Sequence, residues 1–298
     1  MKKLQLLLLL FTVFLSSIQA QKKIEITEGP RPITKGQKNA FIVEVPQTKT
    51  DDLQKSWVKY LKDNTKAKVE DEKGEYFALG AVISRISDKS LNVYARFQET
   101  TVGTNINTFY QINDEFVTGE NNPTVATSIK AFLYDFAKFA YAEAVTIELE
   151  REQKTLKTLE KELESLHKDE DKEIKNIDKF KREVEKSEDD IKVKKSEQEL
   201  KQKEITAQKE KMIGVSLNAE EKKLQDKQVK EKENEKKDII KAQDNARNNI
   251  KKQEANIKMS ERDLAGIKHN IDVKNAAIGK QKELIAKVQE KLANINKL

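Results

Sequence analysis

The chain has no cysteine, only two histidines, one tryptophan, four prolines and nine glycines in 298 residues. Without cysteine there are no disulfides, thiolate metal sites, iron–sulfur clusters or cysteine nucleophiles. Histidines 167 and 269 are too few for a metal-binding cluster, and the sequence has no Gly-rich phosphate loop, GxSxG elbow or HExxH pair. Aromatic residues make up 6% and charged residues 36%, a mixture unlike that of an ordinary globular enzyme. Nor does one sign of charge dominate, because 57 basic side chains stand against 51 acidic ones for a net charge of +6. Even the lysine-rich run 227–237 alternates with glutamates, the pattern of a salt-bridged helix surface. A nucleic-acid groove needs uncompensated positive charge and aromatic platforms, so no nucleic-acid partner is expected.

Long apolar runs are also missing, with one exception at the start. Lys2 and Lys3 precede Leu6–Leu15, apolar except for Thr12, and Ser16-Ser17-Ile18-Gln19-Ala20 ends on a small residue. This is the layout of a signal peptide over residues 1–20. A run of that length is too short to span a bilayer core of about 30 Å as a helix. The expectation is export to the periplasm or beyond, with a soluble mature chain starting near Gln21 and no transmembrane segment after cleavage.

The structure-breaking residues are distributed unevenly. All four prolines lie at or before Pro123, six of the nine glycines precede position 120, and Phe180 is the only aromatic residue after Tyr141. Folded cores need aromatic bulk, whereas long helices exclude Pro and Gly. The expected fold is therefore a small α+β domain over 21–120 followed by a long antiparallel α-helical coiled-coil hairpin over 121–298. In the first part Ala40–Val45, Ala67–Glu70, Glu75–Ile86, Leu91–Glu99 and Thr104–Ile112 read as strands. Asp51–Lys62 reads as a helix carrying Leu53, Trp57, Tyr60 and Leu61 on one face. Trp57 and Tyr60 are expected in the core face of that helix.

After Asn122 the phenylalanines 132, 136 and 139, with Leu133, Ala137, Ala140 and Ala144, suit a helix buried against the sheet. Beyond Val145 the apolar repeat becomes seven. Leu149, Leu156, Leu163, Ile177, Val184, Ile191, Ile205 and Met212 form one line, broken by Glu170 and Gln198, with Leu166 and Phe180 on the line three residues later. A second segment repeats the device with Ile250, Ile257, Leu264, Ile271, Ile278, Ile285 and Leu292, and with Ile267 on the neighbouring line. A sustained seven-residue period underwinds a helix and produces a left-handed coiled coil.

Between the segments, Gly214 suits a helix end, and Asn218 with Glu221 three residues later suits a capping box. The turn is thus expected near 212–218. Antiparallel arms pair residues whose numbers sum to a constant; a sum of 430 centres on this turn, though the heptad phase equally permits sums seven higher or lower. Pairing by 430 places His167 and His269 about 9 Å apart along the axis, too far to share a metal ion. Lys194, Lys201 and Ser187 at seam positions imply a weakly held distal section. Ile174, Val193, Leu200 and Ile240 lie off the main lines and leave surface for partner chains.

No catalytic, metal or cofactor residues emerge. Adjacent carboxylates such as Asp51-Asp52, Asp71-Glu72 and Asp114-Glu115 are expected by chance among 51 acids. The reading is a non-enzymatic exported structural or interaction protein of the cell envelope, with protein partners and a route to homo-oligomers through the coiled coil. In outline the chain resembles the Skp-like periplasmic chaperones, which combine a signal peptide, a small β body, cationic character and coiled-coil arms around a client cavity. Here both arms follow the whole β body, whereas that family inserts its arms within it. The resemblance implies a holdase chaperone as the alternative; a hydrolase housed in the N-terminal domain is a distant third.

Overall fold

The computed structural model describes residues 23–213 and 218–298. The expected signal peptide and the middle of the expected turn lie outside the described residues. Among the described residues, seven strands and three helices follow in the order β1 (Ile26–Ile33), β2 (Gly36–Pro46), α1 (Thr50–Asn64), β3 (Val69–Glu72), β4 (Glu75–Ile83), β5 (Ser87–Glu99), β6 (Gly103–Ile112), β7 (Glu115–Phe116), α2 (Pro123–Met212) and α3 (Ala219–Lys297). The strands form one antiparallel sheet in the order β1-β2-β6-β5-β4-β3, with β7 against β6.

Local chemistry accounts for the turns. Lys73 and Gly74 both have positive φ (51° and 78°), as a two-residue type I′ hairpin turn demands, and Asp71 Oδ1 accepts the Gly74 N–H at 3.1 Å. Gly103, by contrast, is required by close approach: a Cβ there would stand 2.1 Å from the Val45 carbonyl oxygen. β1 escapes a reading of the sequence because it contains Pro30 and Pro32. It lies at the sheet edge, where a missing N–H donor costs nothing on the open side.

One face of the sheet is packed by helix. Leu53, Trp57 and Leu61 recur every four residues on α1 and are fully buried. The start of α2 adds Ile129, Phe132, Leu133, Phe136 and Ala137, with Trp57 edge-to-face on Phe136 at 4.8 Å between centroids. Trp57 is thus a core residue, as expected, and half-buried Tyr60 packs beside it against Phe132 and Phe136. Phe139 departs from expectation: it is 38% exposed and stacks on Tyr60 at the rim. Burying aromatic pairs in this geometry adds about 0.5–1.5 kcal/mol each beyond the area covered.

The chain divides into two compact units, one made of residues up to Thr155 with Gln281–Leu298, the other of Leu156–Lys280. In the first, Val288 and Ile295 of α3 join the core of the sheet and its helices. Tyr134 Oη donates to the Leu298 carbonyl at 3.3 Å and Lys138 Nζ to the Asn296 carbonyl at 3.1 Å, which holds the carboxyl-terminal end of α3 beside residues 134–138 of α2.

In the second unit, side chains of α2 and α3 meet in pairs whose numbers run in opposite directions. Glu162 meets Lys274 at 2.6 Å, Ser187 meets Asn249 at 2.9 Å, Lys201 meets Glu235 at 2.9 Å and Gln208 meets Gln228 at 3.3 Å. Each of these four pairs sums to 436, one short of the heptad step above 430. The expected sum of 430 is therefore corrected upward by about one heptad, because apolar phase alone does not distinguish registers seven apart. The expected capping box is present: Asn218 Oδ1 accepts the Glu221 N–H at 2.9 Å, and Glu221 Oε2 accepts the Asn218 N–H at 3.0 Å.

Candidate interaction surfaces

The seam positions read from the heptads are all covered. Ile177, Ile271, Ile278 and Ile285 are buried. Leu149, Leu156, Leu163, Leu166, Phe180, Val184, Ile191, Ile250, Ile257, Leu264, Ile267 and Leu292 are half-buried. Of these, Leu149 and Leu292 pack against the core of the first unit.

Covered positions missed by an apolar reading are polar. Ser187, Gln243, Gln253 and Ser260 are buried in the second unit although nothing in their side chains signals a core. Their place in the sevens is the signal for them: 187, expected at the seam, continues the line of Phe180, and 243, unexpected there, continues that of Ile250. Ser187, Gln243 and Gln253 are satisfied by hydrogen bonds across and along the helices. Gln243 Nε2 donates to Gln198 Oε1 at 2.7 Å, and Asn249 Nδ2 to Ser187 Oγ at 2.9 Å. Gln253 Nε2 donates to Asn249 Oδ1 at 3.2 Å, and Asn256 Nδ2 to Gln253 Oε1 at 2.9 Å. Buried amides paired in this way fix register at some cost in stability, because any slip leaves donors and acceptors unmet.

Charge continues the pattern toward the end of α2. Lys201 Nζ lies 2.9 Å from both Glu204 and Glu235, and Lys232 lies 3.5 Å from Glu204. Hydrogen bonds to Glu204 and then Glu235 hold the Lys201 ammonium above its usual range. Surface pairs of this kind are screened by solvent and hold little, so they select a partner position more than they hold it. Off the seam, Ile174, Val193 and Leu200 of α2 and Met259 of α3 are exposed, while Ile240 is half-buried.

The remaining candidate chemistry is dispersed. His167 Nδ1 lies 3.2 Å from Glu170 on its own helix, and His269 is exposed; pairs that sum to 436 put the two histidines at one level along the helices, which corrects the 9 Å offset expected from 430. Among the described residues no three His, Asp or Glu side chains are placed to hold a metal ion, and no helix is long and apolar enough to cross a membrane. Asp51-Asp52 sit exposed in the first turn of α1, Asp71-Glu72 are exposed on β3, and Asp114 occupies a positive-φ turn.

The sheet face away from the main core carries a second apolar cluster of Ile33, Ala40, Ile42, Tyr94 and Phe109. Beside it Glu75, 4% exposed, accepts the Thr34 N–H at 2.8 Å and pairs with Arg96 Nε at 3.2 Å. Lys35 Nζ donates to Tyr94 Oη at 2.7 Å and to Gln111 Oε1 at 3.1 Å. These contacts tie the β1–β2 turn across the sheet. The Thr34 hydrogen bond and the Arg96 ion pair anchor the Glu75 carboxylate to the β1–β2 turn and to β5.

One groove in the first unit stands apart. The pairing of β3 with β4 stops at Val69–Ala78, so Leu79–Ile83 has no strand on that side among the described residues. This edge and residues 62–67 line an open groove of about 620 Å³, into which Leu79 (55% exposed) and Val82 (47%) project apolar surface. No known family, curated protein or solved structure matches the chain.

Proposed function

We propose that the chain is an exported, non-enzymatic structural or interaction protein of the cell envelope, whose α2 and α3 form an antiparallel coiled-coil hairpin that serves protein partners as a scaffold or adaptor. The observation that carries this reading is the pair of heptad lines that stay covered along both helices, joined by interhelical pairs of opposite numbering. Heptads of this length give a surface for lateral association, including association between copies of the chain. Export rests on the basic, then apolar, then small-residue order of the first twenty residues.

A holdase chaperone is the second reading. It is favoured by the exposed apolar side chains Ile174, Val193, Leu200 and Met259, which offer unspecialised contact to unfolded chains. In-cell cross-linking with identification of the captured proteins separates the two. A scaffold yields one reproducible partner, lost when α2 and α3 are shortened. A holdase yields many unrelated clients and suppresses their aggregation at near-stoichiometric amounts. Export fails if the amino terminus of the protein recovered from cells is still Met1.

A further inference from the structure

We propose that one flank of α2 and α3 is the face on which a second, antiparallel copy of this chain packs about a two-fold axis. The inference rests on the hairpin reading above and names a partner for it. Among the described residues of the second unit, Val193, Leu200, Leu224, Met259 and Val273 are large apolar residues left exposed, and each stands two places after the main heptad line of its helix. Ile174 and Ile213, also exposed, stand elsewhere. Equal places in the sevens share a helix face, here one turned away from the seam. Lys209 and Glu233, each four places after the main line, meet at 2.6 Å. That flank of the two helices is therefore shared, and the two lines of exposed residues share the other.

Self-complementarity argues for a second copy. On α3, numbers that sum to 483 set Leu224 of one copy on Met259 of the other, and Glu231 on Lys252. On α2, a sum of 393 sets Val193 on Leu200, and Asp190 on Lys203. Every pair is reciprocal, as the isologous contact of a symmetric dimer requires. The α3 pairs centre on position 241.5 and the α2 pairs on 196.5, which the interhelical sum of 436 carries to 239.5 on α3. The two centres differ by about 3 Å along the helix, so one axis serves both. Glu231, Lys252, Asp190 and Lys203 are exposed and make no ion pair among the described residues, and the second copy completes them. A register seven lower on α3 would set Asp238 on its own counterpart, and one seven higher would set Met259 on Glu231. The flanking carboxylates Glu197, Glu204 and Glu235 are already neutralised by Lys194 and Lys201 within 2.9 Å. Lys241, beside the axis, stands one turn from Asn245 and so from Asp238 of the second copy. From Leu224 to Met259 the strip is about 52 Å long; at a helix width of about 10 Å it covers roughly 500 Å² per copy before α2 is added. Over two copies that reaches the ~1,000 Å² of a specific interface. Val273 lies beyond the strip.

The test is sedimentation equilibrium of the full chain, with circular dichroism beside it. A reversible dimer should form below about 100 μM. Val193→Glu with Leu200→Glu, and Leu224→Glu with Met259→Glu, should each weaken it by about tenfold or more. Glu231→Lys alone should weaken it severalfold, and Glu231→Lys with Lys252→Glu should restore it, because the exchanged charges meet again. Chains carrying Glu231→Cys and Lys252→Cys should cross-link through a short bis-maleimide when mixed, and neither should do so alone. These side chains are exposed, so helix content should not change in any variant. A wild-type chain that is fully helical and still monomeric at about 100 μM overturns the dimer and leaves the hairpin reading standing. Loss of helix in the wild-type chain overturns both. Cross-linking of either cysteine chain by itself, or a dimer indifferent to Glu231→Lys, overturns the antiparallel face, as does finding these residues covered in cells by an unlike protein and no second copy.

Discussion

Glu28 on β1 accepts the Gly119 N–H at 2.8 Å, tying the outermost strand to the turn that precedes α2. The same carboxylate lies 2.7 Å from Lys130 Nζ and 3.1 Å from Asn39 Nδ2. Burial raises the Glu28 carboxyl, but the hydrogen bonds from Lys130, Gly119 and Asn39 outweigh it and bring the group below its ordinary value. A carboxyl depressed by folding contributes stability that is present above its unfolded value of about 4.3 and lost as pH falls through the folded one. Glu28→Gln should therefore lower the melting temperature at neutral pH and flatten its fall below about pH 4.3. Melts of both proteins across that range check it; parallel curves refute it.

Register is tested by engineered cysteines, which have no native thiol to compete with. Under a sum near 437, Leu166→Cys with Ile271→Cys should form a disulfide within one chain on mild oxidation. Leu166→Cys with Leu264→Cys, about 10 Å away along the axis, should not, since bridged Cα atoms lie within about 7 Å. Non-reducing gels and mass spectrometry distinguish the two, and a link in the second pair alone would restore the register of 430.

The Gln198–Gln243 pair should behave asymmetrically. Gln198→Leu leaves Gln243 buried without its acceptor and should cost about 1–3 kcal/mol, whereas changing both residues to leucine should be neutral or stabilising. Urea titrations of the two singles and the double measure this directly.

Asn218→Ala removes the acceptor for two N–H groups in the first turn of α3, those of Glu220 and Glu221. A loss of about 1 kcal/mol is expected, with Asn218→Asp nearly silent. Faster amide exchange confined to residues 219–223 is the signature.

Gly103→Ala should cost about 3 kcal/mol or more, because the new methyl group meets backbone and not a side chain that could turn aside. Thermal melting compared with Gly266→Ala, where the space is open, isolates the effect.

Much of this molecule was legible in its residues, for identifiable reasons. Leu53, Trp57 and Leu61 recur at helical spacing, and β5 alternates cleanly, so those elements followed from period alone. β1 did not, because Pro30 and Pro32 argue against a strand until its place at an edge is known. The edge at Leu79–Ile83 was hidden inside a single apolar run, Glu75–Ile86, in which nothing marks where β3 stops pairing. The polar seam residues Gln243 and Gln253 are invisible to a search for apolar sevens, since a buried amide is held by hydrogen-bond partners and not by apolar bulk.

Val288 and Ile295 belong to the same core as Phe41 and Trp57, more than two hundred positions earlier. A nascent polypeptide emerging from the ribosome therefore holds an incomplete body throughout elongation, and the last turns of α3 close it. Contacts so distant along the chain slow folding, and they favour a partly open intermediate that needs shelter until synthesis is nearly finished. Messages cut short before codon 288 should yield chains that proteolysis removes, so that only products translated through Ile295 accumulate.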